Sequence, residues 1–161
     1  MNSGPPVPQN LHATALTYDG VGVLIAGPSG SGKSLLALDL IDHAGLAGLP
    51  AALIADDQVL VEAAAGVLLA AAPPTVAGRI ELRGRGIVTR PHHSPAPVHL
   101  LLDLVARIDR MPDPGAFTAT VGGVTLPRAP VPAVGAADPV QRRLLALEAI
   151  ALRRGRKKKT T

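Results

Sequence analysis

Short apolar runs separated by turn residues dominate the chain, and they predict β-strands. Two of them, Val21–Ala26 and Ala51–Ala55, are apolar along their whole length and are typical of buried strands. A hairpin is predicted where Val59–Glu62 and Val67–Ala70 flank a turn at Gly66. Further extended segments are predicted at residues 12–18, 79–89 (two short pieces around Gly84 and Gly86), 98–108, 117–121 and 124–126.

Helical patterns occur at two places. The first follows Lys33 and ends between His43 and Gly48, where glycine and proline break it. The second begins at Asp138-Pro139, an N-cap aspartate with proline at the first helical position, and continues with a helical apolar face. One α/β domain with a mixed sheet and few helices is therefore predicted over residues 10–152.

Charge is concentrated at one end of the chain. The net charge is +4, but six positive charges lie within residues 153–159, so subtracting them leaves −2 for the rest. We interpret residues 153–161 as a basic, disordered tail rather than a binding element. The proline-rich residues 1–9 are also predicted to be disordered.

Composition excludes several classes of function. The chain has one Phe, one Tyr and no Trp, so its core is aliphatic and no nucleic-acid binding by aromatic stacking is expected. The absence of cysteine excludes disulfides, Cys-ligated zinc and thiol nucleophiles. No apolar run is long enough to span a bilayer and residues 1–9 do not form a secretory signal, so we expect a cytoplasmic protein without a membrane partner.

The segment 27–34 satisfies every fixed position of the phosphate-binding loop (P-loop). It reads Gly27, Pro28, Ser29, Gly30, Ser31, Gly32, Lys33 and Ser34, and it lies between a predicted strand and a predicted helix. Glycines allow several backbone N–H groups to point into one hollow, and the helix N-terminus adds partial positive charge there. Lys33 can reach the β- and γ-phosphates and Ser34 can ligate Mg²⁺. The segment predicts a nucleotide phosphate site.

Two further polar motifs are ambiguous without the P-loop. Asp56-Asp57 ends an apolar strand, and if that strand lies beside the P-loop strand, both carboxylates reach the phosphates; alone, the pair would be an ordinary turn. Adjacent carboxylates raise the pKa of one of them, which suits a proton acceptor. Glu81 and Arg83 lie two residues apart and so share one face of a strand, a pattern that alone indicates a surface ion pair.

Taken in order, these motifs resemble the catalytic domain of HPr kinase/phosphorylase, in a short form without the N-terminal domain. The resemblance rests on His12, the P-loop, Asp56-Asp57, the run from Glu81 to Ile87 and Asp109-Arg110, and covers residues 11–126. It implies a P-loop kinase-type α/β fold with a mixed sheet, as in HPr kinases and PEP carboxykinases. It also implies ATP and Mg²⁺ as cofactors.

The resemblance assigns roles to single residues. Lys33 binds the phosphates, and Ser34 and Glu81 are the Mg²⁺ ligands. Asp57 accepts the proton of the target serine, or donates it in the reverse reaction, and Asp56 assists.

Three more residues match the family's active site: His12, Arg110, and Arg83 within the segment used in both reactions. The implied substrate is the phosphocarrier protein HPr, in phosphotransferase-system and carbon regulation, and the implied assembly is a hexamer.

The chain departs from the resembled family at two places. Leu35 stands where longer members have an acid, and Leu126–Pro130 stands in place of an arginine-containing segment linked to dephosphorylation. An alternative prediction is therefore a non-catalytic nucleotide sensor that binds HPr or a regulator. A small-molecule kinase is a third alternative, disfavoured because no lid domain is evident.

Overall fold

The computed structural model describes residues 7–158, with side chains described as far as residue 155. It contains two helices, α1 (Lys33–Leu46) and α2 (Pro139–Lys158). The strands are β1 (Gln9–Leu11), β2 (Thr14–Tyr18), β3 (Val21–Ala26), β4 (Ala51–Ala55), β5 (Val59–Ala64), β6 (Val67–Ala71), β7 (Arg79–Leu82), β8 (Gly86–Thr89), β9 (Ala96–Val98), β10 (Leu100–Val105), β11 (Thr118–Val121) and β12 (Val124–Pro132). The predicted mixed α/β architecture with few helices is confirmed.

A six-stranded mixed sheet is the centre of the molecule. Its order is β11-β12-β10-β3-β2-β4, with β3, β10 and β12 parallel and the other neighbouring pairs antiparallel. Ala51–Ala55 does not lie directly beside the P-loop strand, which was the condition set for Asp56-Asp57 to reach the phosphates, because β2 lies between β4 and β3. Since β2 is antiparallel to both, β3 and β4 still run in the same direction, and their carboxyl ends meet at one edge.

Two hydrophobic cores lie on opposite faces of this sheet. Val23 and Ile25 of β3 face α1 and α2, whereas Leu24 faces the second, four-stranded sheet of order β1-β5-β6-β9. The same alternation recurs in β10. Burial on both faces explains why these strands are continuously apolar in sequence. The fold thus has three layers, and the P-loop lies where the central strand meets the helical layer.

The predicted strand at 124–126 extends to Pro132. Leu101–Val105 pair in parallel with Arg128–Pro132, whereas β11 covers only residues 124–127 of β12. Beyond Pro127 the strand therefore pairs only with β10 within the described chain. Proline is tolerated on a strand's free edge, because no ladder hydrogen bond is needed there.

Parts of both ends that were predicted to be disordered are ordered in the structure. Gln9 begins β1 and pairs with Val61, so tertiary pairing orders a residue that proline-rich neighbours suggested was free. At the other end α2 continues to Lys158, and Arg154 forms an ion pair with Asp19 that ties its last turns to the body. Residues 1–6 and 159–161 lie outside the described residues. No helix in the described range is both long and apolar enough to cross a membrane.

Candidate functional site

The P-loop connects the central strand to the first residue of α1. Lys33 is 7% exposed, and its Nζ donates to the carbonyl oxygens of Gly27 (2.8 Å) and Pro28 (3.0 Å). These two contacts hold the ammonium group over the loop at the N-terminus of α1, where the unpaired N–H groups and the helix dipole favour an anion. The structure therefore places the lysine where the motif requires it.

Gly32 is required by both its conformation and its surroundings. Its φ is +96°, in the left-handed region that favours glycine. A Cβ built there would lie 2.2 Å from Cγ2 of Val134 and 2.9 Å from Nη1 of Arg142. The residue thus allows the turn into α1 and the close approach of the segment that precedes α2.

The Asp56 carboxylate contacts three separate segments of the chain in this site. Its Oδ1 accepts hydrogen bonds from the hydroxyls of Ser34 (2.7 Å) and Thr14 (2.8 Å), and its Oδ2 lies 3.4 Å from the backbone N of Glu81. Three segments are thereby joined at one carboxylate: the start of α1, β2 and β7. The carboxylate is fixed beside the residue predicted to ligate Mg²⁺.

Asp57 has a different environment from its neighbour. It is exposed, its φ is +67°, and its Oδ1 lies 3.0 Å from Nδ1 of His12. Aspartate tolerates the left-handed region better than most residues, but the conformation still costs free energy and is common at functional sites. The turn directs the two adjacent carboxylates to different partners: Asp56 to the P-loop, Asp57 to His12.

These side chains line one pocket of about 320 Å³. Its lining includes ten of the fourteen predicted site residues, and Gly27, Pro28, Ser31 and Arg110 are not among them. The ten are His12, Ser29, Gly30, Gly32, Lys33, Ser34, Asp56, Asp57, Glu81 and Arg83. Glu81 and Arg83 are exposed and lie at the end of the β7–β8 ribbon. Arg110 is exposed in the loop between β10 and β11, outside the pocket lining, so the structure does not bring it to the other residues.

The oxygen donors fit a magnesium ion. Ser34 and Asp56 share a hydrogen bond, and Glu81 lines the same pocket. Mg²⁺ is commonly bound through one or two carboxylates together with substrate phosphates and water, not by a full protein cage. The described residues contain no cluster of three His, Cys, Asp or Glu side chains that could hold a metal ion by themselves.

Two lining residues escaped the sequence analysis. Thr14 is fully buried and donates a hydrogen bond to Asp56. The sequence did not indicate this contact, because Thr14 lies in a weakly alternating strand and its partner is 42 residues away. Val134 lines the pocket and its backbone N donates to the Ser31 carbonyl (2.9 Å). No local motif marks it, because its position depends on where β12 ends.

The segment Leu126–Pro130 is structural. Arg128 donates from Nε to Asp103 (2.9 Å) and from Nη1 to the Ala116 carbonyl (2.7 Å). Its guanidinium is therefore held between β10 and the residues before β11, outside the pocket lining.

Comparison with known proteins agrees with this geometry. A family model described as the HPr serine kinase C-terminal domain matches residues 7–92, just over half of the chain. The HPr kinase/phosphorylase of Clostridium kluyveri is 42% identical over 78 residues, 48% of this chain, and that of Clostridium tetani is 38% identical over 81 residues. These matches span only 23% and 25% of the two relatives.

A solved structure matches nearly the whole chain. The Hpr(Ser) kinase/phosphatase from Coxiella burnetii superposes with a TM-score of 0.70 at 30% sequence identity, covering 94% of this chain and 93% of that one. The fold and the sequence of the matched half therefore lead to the same family. The chain belongs to the HPr serine kinase C-terminal domain family.

Proposed function

We propose that this protein is an ATP- and Mg²⁺-dependent kinase that phosphorylates a serine of the phosphocarrier protein HPr. The observation that carries the proposal is one pocket in which Lys33 and the Ser34–Asp56 pair face the His12–Asp57 pair. The first group suits the binding of phosphates, and the second suits the activation of a hydroxyl. Family membership supports HPr as the acceptor.

Lys33 and the loop N–H groups bind the β- and γ-phosphates of ATP. The residues that would hold Mg²⁺ are Ser34, Asp56 and Glu81, which line the same pocket. When bound, the ion neutralises charge on the phosphate oxygens. Asp56 already accepts a hydrogen bond from the Ser34 hydroxyl, so its carboxylate is oriented without rearrangement.

Asp57 accepts the proton of the acceptor serine. As the serine Oγ bonds to the γ-phosphorus, the bond to the bridging oxygen breaks, ADP leaves, and the proton moves to the Asp57 carboxylate. His12 positions that carboxylate through the 3.0 Å contact. Arg83, which also lines the pocket, supplies positive charge near the group being transferred.

The remaining elements of the proposal rest on family resemblance. They are a reverse reaction in which phosphate removes the phosphoryl group, a homo-oligomeric assembly, a contribution of Arg110, and a role in carbon regulation. An ATP-dependent reaction on HPr would take place in the cytoplasm.

The direct test is incubation of the purified protein with γ-labelled ATP, Mg²⁺ and HPr from the same organism. We expect label on one HPr serine, its loss on addition of EDTA, and none with the Lys33→Ala variant. Addition of phosphate to purified phospho-HPr then tests the reverse reaction. Tight ATP binding without any label would contradict the kinase.

A non-catalytic nucleotide sensor is the second candidate. It is favoured by Leu35, which lines the pocket at the position of an acid in the resembled family and is 43% exposed. An apolar group at this rim leaves phosphate binding through Lys33 unaffected but removes a charge beside the reacting group. A sensor would bind ATP and change its affinity for HPr without phosphoryl transfer.

A further inference from the structure

We infer that Arg142 is a buried positive charge behind the P-loop that strengthens the binding of the nucleotide's polyphosphate. The inference deepens the proposed function and rests on its nucleotide-binding part alone. No motif marks this residue, since it lies more than a hundred positions after the loop in the chain. It reaches the loop only because α2 begins beside it.

The geometry places the guanidinium against the loop backbone. Arg142 lies in the first turns of α2 and is 6% exposed. Its Nη1 is so close to Gly32 that a Cβ on that glycine would lie 2.9 Å away. Arg142 is not part of the pocket lining, so it does not reach the phosphates directly. It acts through the loop as a positioning residue rather than a catalytic one.

Burial of the Arg142 charge is unfavourable for the stability of the fold. Its Nε is buried and has no hydrogen-bond partner among the described residues. Burial lowers the pKa of the Arg142 guanidinium below its usual value, and the charge of Asp39 opposes that shift only as the smaller effect. Asp39 is itself engaged by Arg143 through contacts of 2.8–3.1 Å. A cation near a helix N-terminus also faces the unfavourable end of the dipole.

An anion on the other side of the loop offsets that cost. A charge in a poorly solvated place is little screened, so it attracts phosphates several ångströms away more strongly than a surface arginine would. Ser31 in the same loop is also 6% exposed, and its Oγ has no partner among the described residues. Two buried polar atoms, Ser31 Oγ in the loop and Arg142 Nε beside it, therefore have no hydrogen-bond partner among the described residues.

This arrangement predicts a dependence on phosphate charge. The contribution of Arg142 should increase from adenosine, which has no phosphate, through AMP and ADP to ATP. A residue that only packs against the loop would affect all four ligands alike.

The test is calorimetric titration of the Arg142→Met and Arg142→Lys variants with adenosine, ADP and ATP in the presence of Mg²⁺. We expect Arg142→Met to weaken ADP and ATP binding about tenfold or more, with adenosine changed less than twofold. Arg142→Lys should recover most of the loss. Thermal unfolding without ligand should show Arg142→Met at least as stable as the wild type, because a buried charge whose Nε has no hydrogen-bond partner among the described residues has been removed.

Arg90→Met is the matched control. It removes the same charge, but Arg90 is paired with Asp42 through bonds of 2.8 and 2.9 Å and lies outside the pocket lining, so its nucleotide affinities should stay at the wild-type values. Equal weakening of adenosine, ADP and ATP by Arg142→Met, or no weakening, would overturn the inference. Such a result with normal HPr phosphorylation would leave the proposed function intact. Conversely, if the loss of affinity increases with phosphate charge as expected but no phosphoryl group is transferred to HPr, the role of Arg142 is supported and the kinase proposal is contradicted.

Discussion

The P-loop and the β7–β8 ribbon face the same pocket, but they are held in place differently. The loop is built on the central strand and the core: Ser31 and Lys33 are buried and Lys33 is hydrogen-bonded to two loop carbonyls. The ribbon is a separate two-stranded sheet with its outer residues in solvent, Ile87 being 59% exposed. Ile80, which is 1% exposed, anchors it to the helical core.

The two regions therefore differ in rigidity: the P-loop is suited to binding a ligand of fixed shape, and the β7–β8 ribbon is suited to adapting to a partner. A two-stranded sheet has little stability of its own, whereas a loop joined to a buried strand and a long helix is rigid. The side proposed to bind phosphates is therefore preorganised, and the side that would meet a protein substrate can adjust. Asp56 joins the two, because it contacts both Ser34 and the backbone of Glu81.

Asp57→Asn should give the largest effect, and this effect should be on the rate of the chemical step alone. Removal of a general base costs about 10²- to 10⁴-fold in rate, and we expect a loss of about 10³-fold in transfer to HPr. ATP affinity should stay within about threefold, because Asp57 contacts His12 and not the P-loop. Steady-state kinetics and titration calorimetry measure the two quantities. A transfer rate near the wild-type value would remove Asp57 from the mechanism.

Gly32→Ala and Gly84→Ala form a matched pair, one in each region. Their φ values are nearly equal, +96° and +94°, but a Cβ at Gly84 meets nothing within 4 Å. Gly84→Ala should cost about 1 kcal/mol from backbone strain alone. Gly32→Ala adds a clash with Val134 and should cost more than about 2 kcal/mol and abolish ATP binding. Urea unfolding gives both values; equal costs would show that the loop is as adaptable as the ribbon.

Asp56→Asn tests the connection between the two regions. The amide keeps the size of the side chain but loses the charge that would help to hold Mg²⁺. ATP affinity in Mg²⁺ should fall about tenfold, whereas affinity in EDTA should change little. An equal loss under both conditions would mean that Asp56 only supports the loop through Thr14 and Ser34.

Arg83→Ala and Arg110→Ala should give the smallest effects and differ from each other. We expect Arg83→Ala to lower the transfer rate about fivefold, as an exposed charge at the pocket rim contributes on the order of 1 kcal/mol. Arg110→Ala should change it less than twofold, because Arg110 lies outside the lining. A larger loss for Arg110→Ala would support the catalytic role implied by family resemblance and require its loop to move towards the pocket. Measuring KM for HPr together with kcat for each variant separates an effect on HPr binding from one on the transfer step.

Local patterns were sufficient where neighbours in sequence are neighbours in space. The apolar run Val21–Ala26 and the motif Gly27–Ser34 that follows it predict a strand, a loop and the start of a helix, because these three elements are consecutive in the chain. The start of α2 was predicted in the same way, and the Asp138 side chain accepts a hydrogen bond from the N–H of Val140 at 2.7 Å. The two pieces around Gly84 were predicted because their turn is marked by glycine.

Contacts between distant segments required the fold. The sequence indicated that Asp56-Asp57 could face the phosphates if their strand lay beside β3. In the structure β2 lies between the two strands and supplies Thr14 as a further partner of Asp56. Disorder was predicted for Gln9 and for residues 153–158 from composition, which carries no information about pairing partners.

The sequence by itself determined the strand, loop and helix of the P-loop motif and the continuous apolar run of β3, a strand buried on both faces, since each depends on covalent order and side-chain period. Only the tertiary structure decided which polar residues share a carboxylate and that Arg142 lies behind Gly32. Those facts depend on strand order and on the point where α2 begins, which are fixed by packing of whole layers and not by any local run of residues.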